Sequence, residues 1–166
     1  MITIQSILIE YKSVDTLSDS QHFVLKAILP GDKEILLSHP NLFLYYETNR
    51  AINTSKRYAN ILAQFYSYLS TDEKFRDIEI SKYHVLTDNR DIRKWQIYRQ
   101  IKRVQKQSNK PTSKTIFEDA KIILLYFKWL HNSGYVTNVS IQHKNWIVNF
   151  KNQRMLNYIQ QTAKQV

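Results

Sequence analysis

NTSKRYANILAQFYSYL, residues 53–69, sets Tyr58, Ile61, Leu62, Phe65, Tyr68 and Leu69 at intervals of three and four. At about 100° per residue this spacing gathers the six side chains into one stripe, the pattern of a helix laid with one face on a core. Asn53, Thr54 and Ser55 offer oxygens to cap its start, because short polar side chains accept from the exposed N–H groups of a first turn. Ser70 to Glu73 ends the run.

Downstream, a polar stretch with Ile78, Ile80 and Val85 leads to Thr87-Asp88, where a further helix can begin with acids near its positive end. Its helical phase gathers Ile97, Tyr98, Ile101 and Val104 as an expected core face. Arg99, Lys102, Arg103 and Lys106 fall opposite, as a cationic face. Ile92 and Trp95 share the cationic side, so either the helix bends or a second apolar surface covers them, and a covered Trp95 is expected over a stacking one. After the loop Ser108 to Pro111 comes another helix start, where Thr115 and Glu118 have capping-box spacing. Ile116, Ala120, Ile123, Leu124, Phe127 and Leu130 follow at helical intervals, and Ile122, Leu125, Tyr126 and Trp129 widen the stripe, as in a helix central to its bundle. Gly134 then suits a left-handed helix exit. Beyond Val136, Trp146 and Phe150 stand without a packing pattern, and the segment reads as a basic tether.

Upstream, Leu42, Tyr45, Tyr46 and Asn49 mark a short helix from about Pro40 to Asn53. Before it the chain is β-leaning: Ile2, Ile4, Ile7 and Ile9 in one run, Phe23 to Leu29 in a second, Ile35 to Leu37 as a return. Pro30-Gly31 fits the centre of a type II turn, proline presetting φ and glycine accepting a positive one. Over the whole chain of 166 residues, two glycines leave little room for phosphate-cradling loops or hairpin-rich all-β folds, and the absence of cysteine excludes disulfides and thiolate zinc sites. No run approaches the roughly 20 apolar residues that a bilayer requires, and the N-terminus lacks signal-peptide features, so a cytoplasmic protein is expected.

The net charge of +10 is unevenly placed. Residues 1–89 carry nine basic and eleven acidic side chains; residues 90–128 carry eleven basic and three acidic; residues 129–166 carry four basic and no acidic. Clustered cations of this kind are the footprint of a polyanion-binding protein. Arg99, Lys102, Arg103, Lys106 and Lys110 are the expected phosphate contacts. The five histidines show no His-Glu-x-x-His pair, and Glu118-Asp119 at a helix start reads as a capping and dipole-complementing group, so neither a metal site nor an acid/base pair is expected.

Two stretches together resemble the N-terminal, SAM-like core-binding region of tyrosine recombinases, the phage-integrase class. They are Thr54-x-x-x-Tyr58-x-x-x-Leu62-x-x-Phe65-x-x-x-Leu69, and Thr115-Ile116 followed by Tyr126-Phe127-Lys128-Trp129-Leu130 and Gly134-Tyr135-Val136. The resemblance covers residues 40–138 and departs at Asn138-Val139, where the family has Asn-Pro. It implies a mainly α fold: a four-helix core-binding bundle at 39–137, preceded by a small β-containing element at 1–38 and followed at 138–166 by a linker toward an absent catalytic domain. It also assigns the starts of the second and fourth helices, Thr54, Ser55, Lys56 and Arg57 with Thr112, Ser113, Lys114 and Thr115, to the major groove.

No His-x-x-Arg pair exists in the chain, so the residues that resemble the family are its DNA clamp and not its strand-transfer chemistry. The expectation is a DNA-binding fragment of a site-specific recombinase from a mobile element. It would be catalytically inert itself, free of cofactor and metal, partnered by double-stranded DNA and by further protomers when full length, and not by membrane. The alternative is a helical adaptor whose basic face meets an acidic protein.

Overall fold

The computed structural model of the protein describes residues 2–12, 19–49, 51–108, 110–140 and 153–164, with side chains of the last helix from Asn157 onward. The β-leaning start is a three-stranded antiparallel sheet, β1 Thr3–Lys12, β2 Asp19–Ile28 and β3 Glu34–Leu36, in the order β1-β2-β3. Ile7 stands opposite Val24, and Ala27 opposite Ile35. The expected turn closes β2 onto β3: Asp32 N–H donates to the Leu29 carbonyl at 3.1 Å across Pro30-Gly31, with Gly31 at φ 85°.

The rest is mainly helical: α1 Ser38–Thr48, α2 Ile52–Thr71, two 3₁₀ turns at Glu73–Phe75 and Ile80–Lys82, the short α3 Tyr83–Leu86, then α4 Asn89–Gln105, α5 Ser113–Asn132 and α6 Gln153–Lys164. Among the described residues no helix is long and apolar enough to cross a membrane.

Sheet and helices share one core. Leu25 and Ala27 of β2 pack with Phe43, Leu62, Phe65, Trp95, Ile123 and Phe127. Beyond β3, strand β2 has backbone groups that need partners, and helices supply them. Asn41 of α1 accepts from Leu25 N–H at 2.6 Å and donates to the Leu25 carbonyl at 3.1 Å, while Ser55 Oγ of α2 accepts from Phe23 N–H at 2.8 Å. Deeper in, the Tyr66 and Tyr126 hydroxyls hydrogen-bond each other at 2.8 Å, and burial pushes both phenols well above their ordinary pKa.

Four local expectations change. First, α1 ends at Thr48 and buries Pro40, Phe43, Leu44 and Thr48, whereas Leu42, Tyr45 and Tyr46 face solvent, because Asn41 must reach the β2 edge and that sets the helix's rotation. Second, α2 starts behind Ala51 with no side-chain cap, since the Ser55 hydroxyl is spent on the sheet. Third, α5 is capped by Thr112, whose Oγ1 accepts from Thr115 N–H at 3.1 Å; Glu118 pairs instead with Lys121 at 3.2 Å. Fourth, α4 turns its faces around. Ile92 and Trp95 enter the main core, with Trp95 edge-on to Phe65 at 5.2 Å, while Ile97, Ile101 and Val104 join a second cluster around Ile116 and Ile159.

That second cluster depends on α6, so the unpacked-tether reading does not hold for residues 153–164; Trp146 and Phe150 lie outside the described residues. The α4 start matches expectation, with Asp88 and Asp91 forming a reciprocal capping box. The α5 exit does too, with Gly134 at φ 86° and Tyr135 N–H donating to the Leu130 carbonyl at 3.0 Å.

His39 and His84 face each other with ring centroids 4.0 Å apart, and the Tyr135 ring stands edge-on to His39 at 4.9 Å. Burial, and then the neighbouring His39, pull His84 down to about 4 from 6.5. The unfolded chain therefore takes up a proton near pH 6.5 that the folded one refuses until about pH 4. Stability should be full above pH 6.5 and fall as pH drops toward 4, and His84→Gln should flatten that slope in urea titrations across the window. The same titrations at neutral pH should separate the two sides of α4: Trp95→Ala is expected to cost about 3–5 kcal/mol and Tyr98→Ala less than about 1 kcal/mol.

Candidate nucleic-acid interface

Asp119, on the second turn of α5, has a side chain only 3% exposed. A carboxylate so placed needs cations, and two helices supply them. Arg99 Nη1 of α4 lies 2.7 Å from Oδ2, and Arg57 Nη2 of α2 lies 3.4 Å from Oδ1. The two arginines differ in exposure. Arg99 is 12% exposed and its guanidinium sits 5.2 Å from the centre of the Trp95 ring, whereas Arg57 is 55% exposed. One acid thus brings the start of α2 beside the first turns of α5, and the excess positive charge is carried outward by Arg57.

The residues expected to meet DNA divide accordingly. Thr54, Lys56 and Arg57 on α2 are exposed, as are Lys114 and Thr115 on α5, with the capping Thr112 beside them. Lys102 and Lys106 on α4 and Lys110 in the following loop are exposed as well. Three expected contacts are committed to the fold instead. Ser55 is fully buried on Phe23, because α2 must close the sheet edge. Arg99 neutralises Asp119. The Ser113 hydroxyl accepts from Gln100 Nε2 at 2.9 Å, which ties the start of α5 to α4. Arg103 is half-buried and its Nε is enclosed without a hydrogen-bond partner.

Asp119 was legible in the sequence only as a dipole-complementing acid at a helix start; its distant partners, 62 and 20 residues away, left no local signal. Arg90 and Lys94, which are not among the expected contacts, are also exposed on α4. Their signal was present as a four-residue spacing with Tyr98, Lys102 and Lys106. Among the described residues no group of three or more His, Asp or Glu is placed to hold a metal ion.

Because Arg99 is enclosed with its partner and Arg57 is not, removing them should have unequal consequences. Arg99→Ala leaves a buried carboxylate without its closer cation and should cost about 3–5 kcal/mol, while Arg57→Ala should cost about 1 kcal/mol or less. Urea unfolding of the two variants checks this, and equal losses would contradict the geometry.

Compared with known proteins, the chain matches no protein-family model, no curated protein and no solved structure, so its functional reading rests on its own residues.

Proposed function

We propose that this protein is a duplex-DNA-binding module of the tyrosine-recombinase core-binding type. The supporting observation is the Arg57–Asp119 pair, which sets side by side the two helix starts that the family resemblance assigns to the major groove. Around it stand exposed Thr54, Lys56, Lys114 and Thr115, hydroxyls and cations suited to base edges and phosphates alike. Lys102, Lys106 and Lys110 add sequence-independent phosphate contacts that position the protein without reading sequence. In this reading Ser55, Arg99 and Ser113 are framework, holding the helix starts in place. Strand cleavage is not assigned to these residues, since no His-x-x-Arg pair is present among the five histidines.

Fluorescence anisotropy on a duplex selected from a random pool, beside a scrambled duplex, tests the proposal. Lys106→Ala should weaken both duplexes alike and lower the salt slope by about one unit, as expected for a lost phosphate contact. Arg57→Ala and Lys114→Ala should narrow the gap between selected and scrambled DNA, by about 1–3 kcal/mol for each base contact removed. Binding of an acidic polypeptide as tight as that of duplex DNA, with no preferred DNA sequence emerging from the pool, would transfer the reading to a protein-binding adaptor.

A further inference from the structure

Helix α4 has two covered sides and one open strip. Ile92, Trp95, Gln96 and Gln100 turn into the main core, and Ile97, Ile101 and Val104 pack in the cluster completed by α6. Between these sides Lys94, Tyr98 and Lys102 are exposed within an arc of roughly 80°. Arg90 and Lys106 continue the same four-residue row at its two ends.

Tyr98 is 45% exposed although it stands between cations. Its ring is held in place: the Tyr68 ring of α2 lies 5.1 Å away, tilted by 39°, and Lys102 Nζ lies 5.6 Å from its centroid. Two acids, Asp72 and Asp91, lie on the Tyr68 side of this aromatic pair. Asp91 is paired with Lys74 at 2.7 Å, and Asp72 accepts from Lys74 N–H to cap the following turn. Burial, with Asp72 and Asp91 nearby, pushes the Tyr68 phenol up to about 12.

We infer that this strip binds an unpaired DNA strand, with phosphates on Lys94 and Lys102 and a base stacked on Tyr98. Cations flanking an exposed aromatic ring match the two features of a single strand that duplex DNA cannot offer together, because the base faces of a duplex are already stacked on each other. The strip lies on α4, outside the α2 and α5 starts assigned to the duplex groove; it shares Lys102 with the duplex phosphate contacts, so Tyr98 is the residue that separates the two ligands, and the inference rests on nucleic acid being the partner.

The test compares oligo(dT) and a duplex by anisotropy for the full chain and its Tyr98→Ala, Tyr98→Phe and Lys114→Ala variants, each checked for native circular dichroism. Tyr98→Ala should weaken oligo(dT) binding about five-fold or more and leave the duplex within about two-fold, whereas Tyr98→Phe, which keeps the ring, should bind as the native chain does. Lys114→Ala should show the reverse preference, weakening the duplex more than oligo(dT). Oligo(dT) binding unchanged by Tyr98→Ala, equal losses on both ligands, or Tyr98→Phe behaving as Tyr98→Ala would each overturn the inference. A native chain that binds duplex but not oligo(dT) would overturn it and leave the proposed function standing. A chain that binds neither would remove both.

Discussion

The buried carboxylate of Asp119 constrains more of this structure than any other single group. An uncompensated charge at that depth would cost several kcal/mol, so the fold has to deliver cations to it from outside α5. Arg99 comes from α4 and Arg57 from α2, which sets the rotation of three helices about one point. Arg99 continues inward over Trp95, whose ring meets the edge of Phe65, so the ion pair and the aromatic core form one contiguous arrangement. Outward, the same acid holds one end of an exposed arginine. Arg57 therefore reaches the surface with less freedom to lose when an anion arrives, and that lost freedom is a main cost of binding by long side chains.

The sheet decides which side of α2 is left to face a ligand. Strand β3 pairs only Lys26 to Ile28 of β2, and the chain then turns into α1. The Leu25 and Phe23 amides of β2 would be left without strand partners, and Asn41 and Ser55 take them. Fixing Ser55 inward turns Thr54, Lys56 and Arg57 outward, since neighbouring helical positions diverge by about 100°. The β-containing element and the exposed start of α2 are in this sense one device.

Elements with a strong period were readable from the sequence, and their partners were not. The stripe Tyr58 to Leu69 and the main stripe of α5 appear where expected, because intervals of three and four over four or five turns leave little ambiguity, whereas Leu125, expected to widen the α5 stripe, is exposed. The Pro30-Gly31 turn was equally legible, since only glycine accepts that φ at low cost. Helix α4 misled for a specific reason. It carries two apolar sides, one with Ile92 and Trp95 and one with Ile97, Ile101 and Val104, and periodicity gives their phase without saying which meets the larger core. The answer depends on α6, whose only deeply covered described side chains are Ile159 and Ala163, too few to announce a packed helix. The exposed cations of the candidate interface were legible as charges, but Arg99 and Ser55 were not separable from Lys102 and Thr54. Their roles depend on Asp119 and Phe23, residues far along the chain.

Two covered sides also explain how the positive charge is distributed. With the core on one flank of α4 and α6 on another, its remaining lysines are pressed into a narrow solvent window. Part of the surplus in residues 90–128 is cancelled locally, Arg99 by Asp119 and Lys121 by Glu118, while Arg90, Lys94, Lys102, Lys106, Lys110 and Lys114 are exposed on α4, in the loop after it and at the start of α5, facing solvent as Lys56 and Arg57 do at the start of α2. At physiological ionic strength charges beyond about 8 Å are largely screened, so this field rewards a ligand only on close approach. A small mobile anion gains little from such a strip, while a polyanion that lays successive phosphates along it gains at each contact and releases counterions as it does so. The same arithmetic distinguishes the two surfaces in the proposed reading. Around Arg57 and Lys114 the cations stand beside threonine hydroxyls that can accept and donate hydrogen bonds, whereas along α4 they stand beside the Tyr98 ring, whose exposed face offers a stacking surface. Discrimination among sequences therefore belongs to the first surface, and discrimination between paired and unpaired strands to the second.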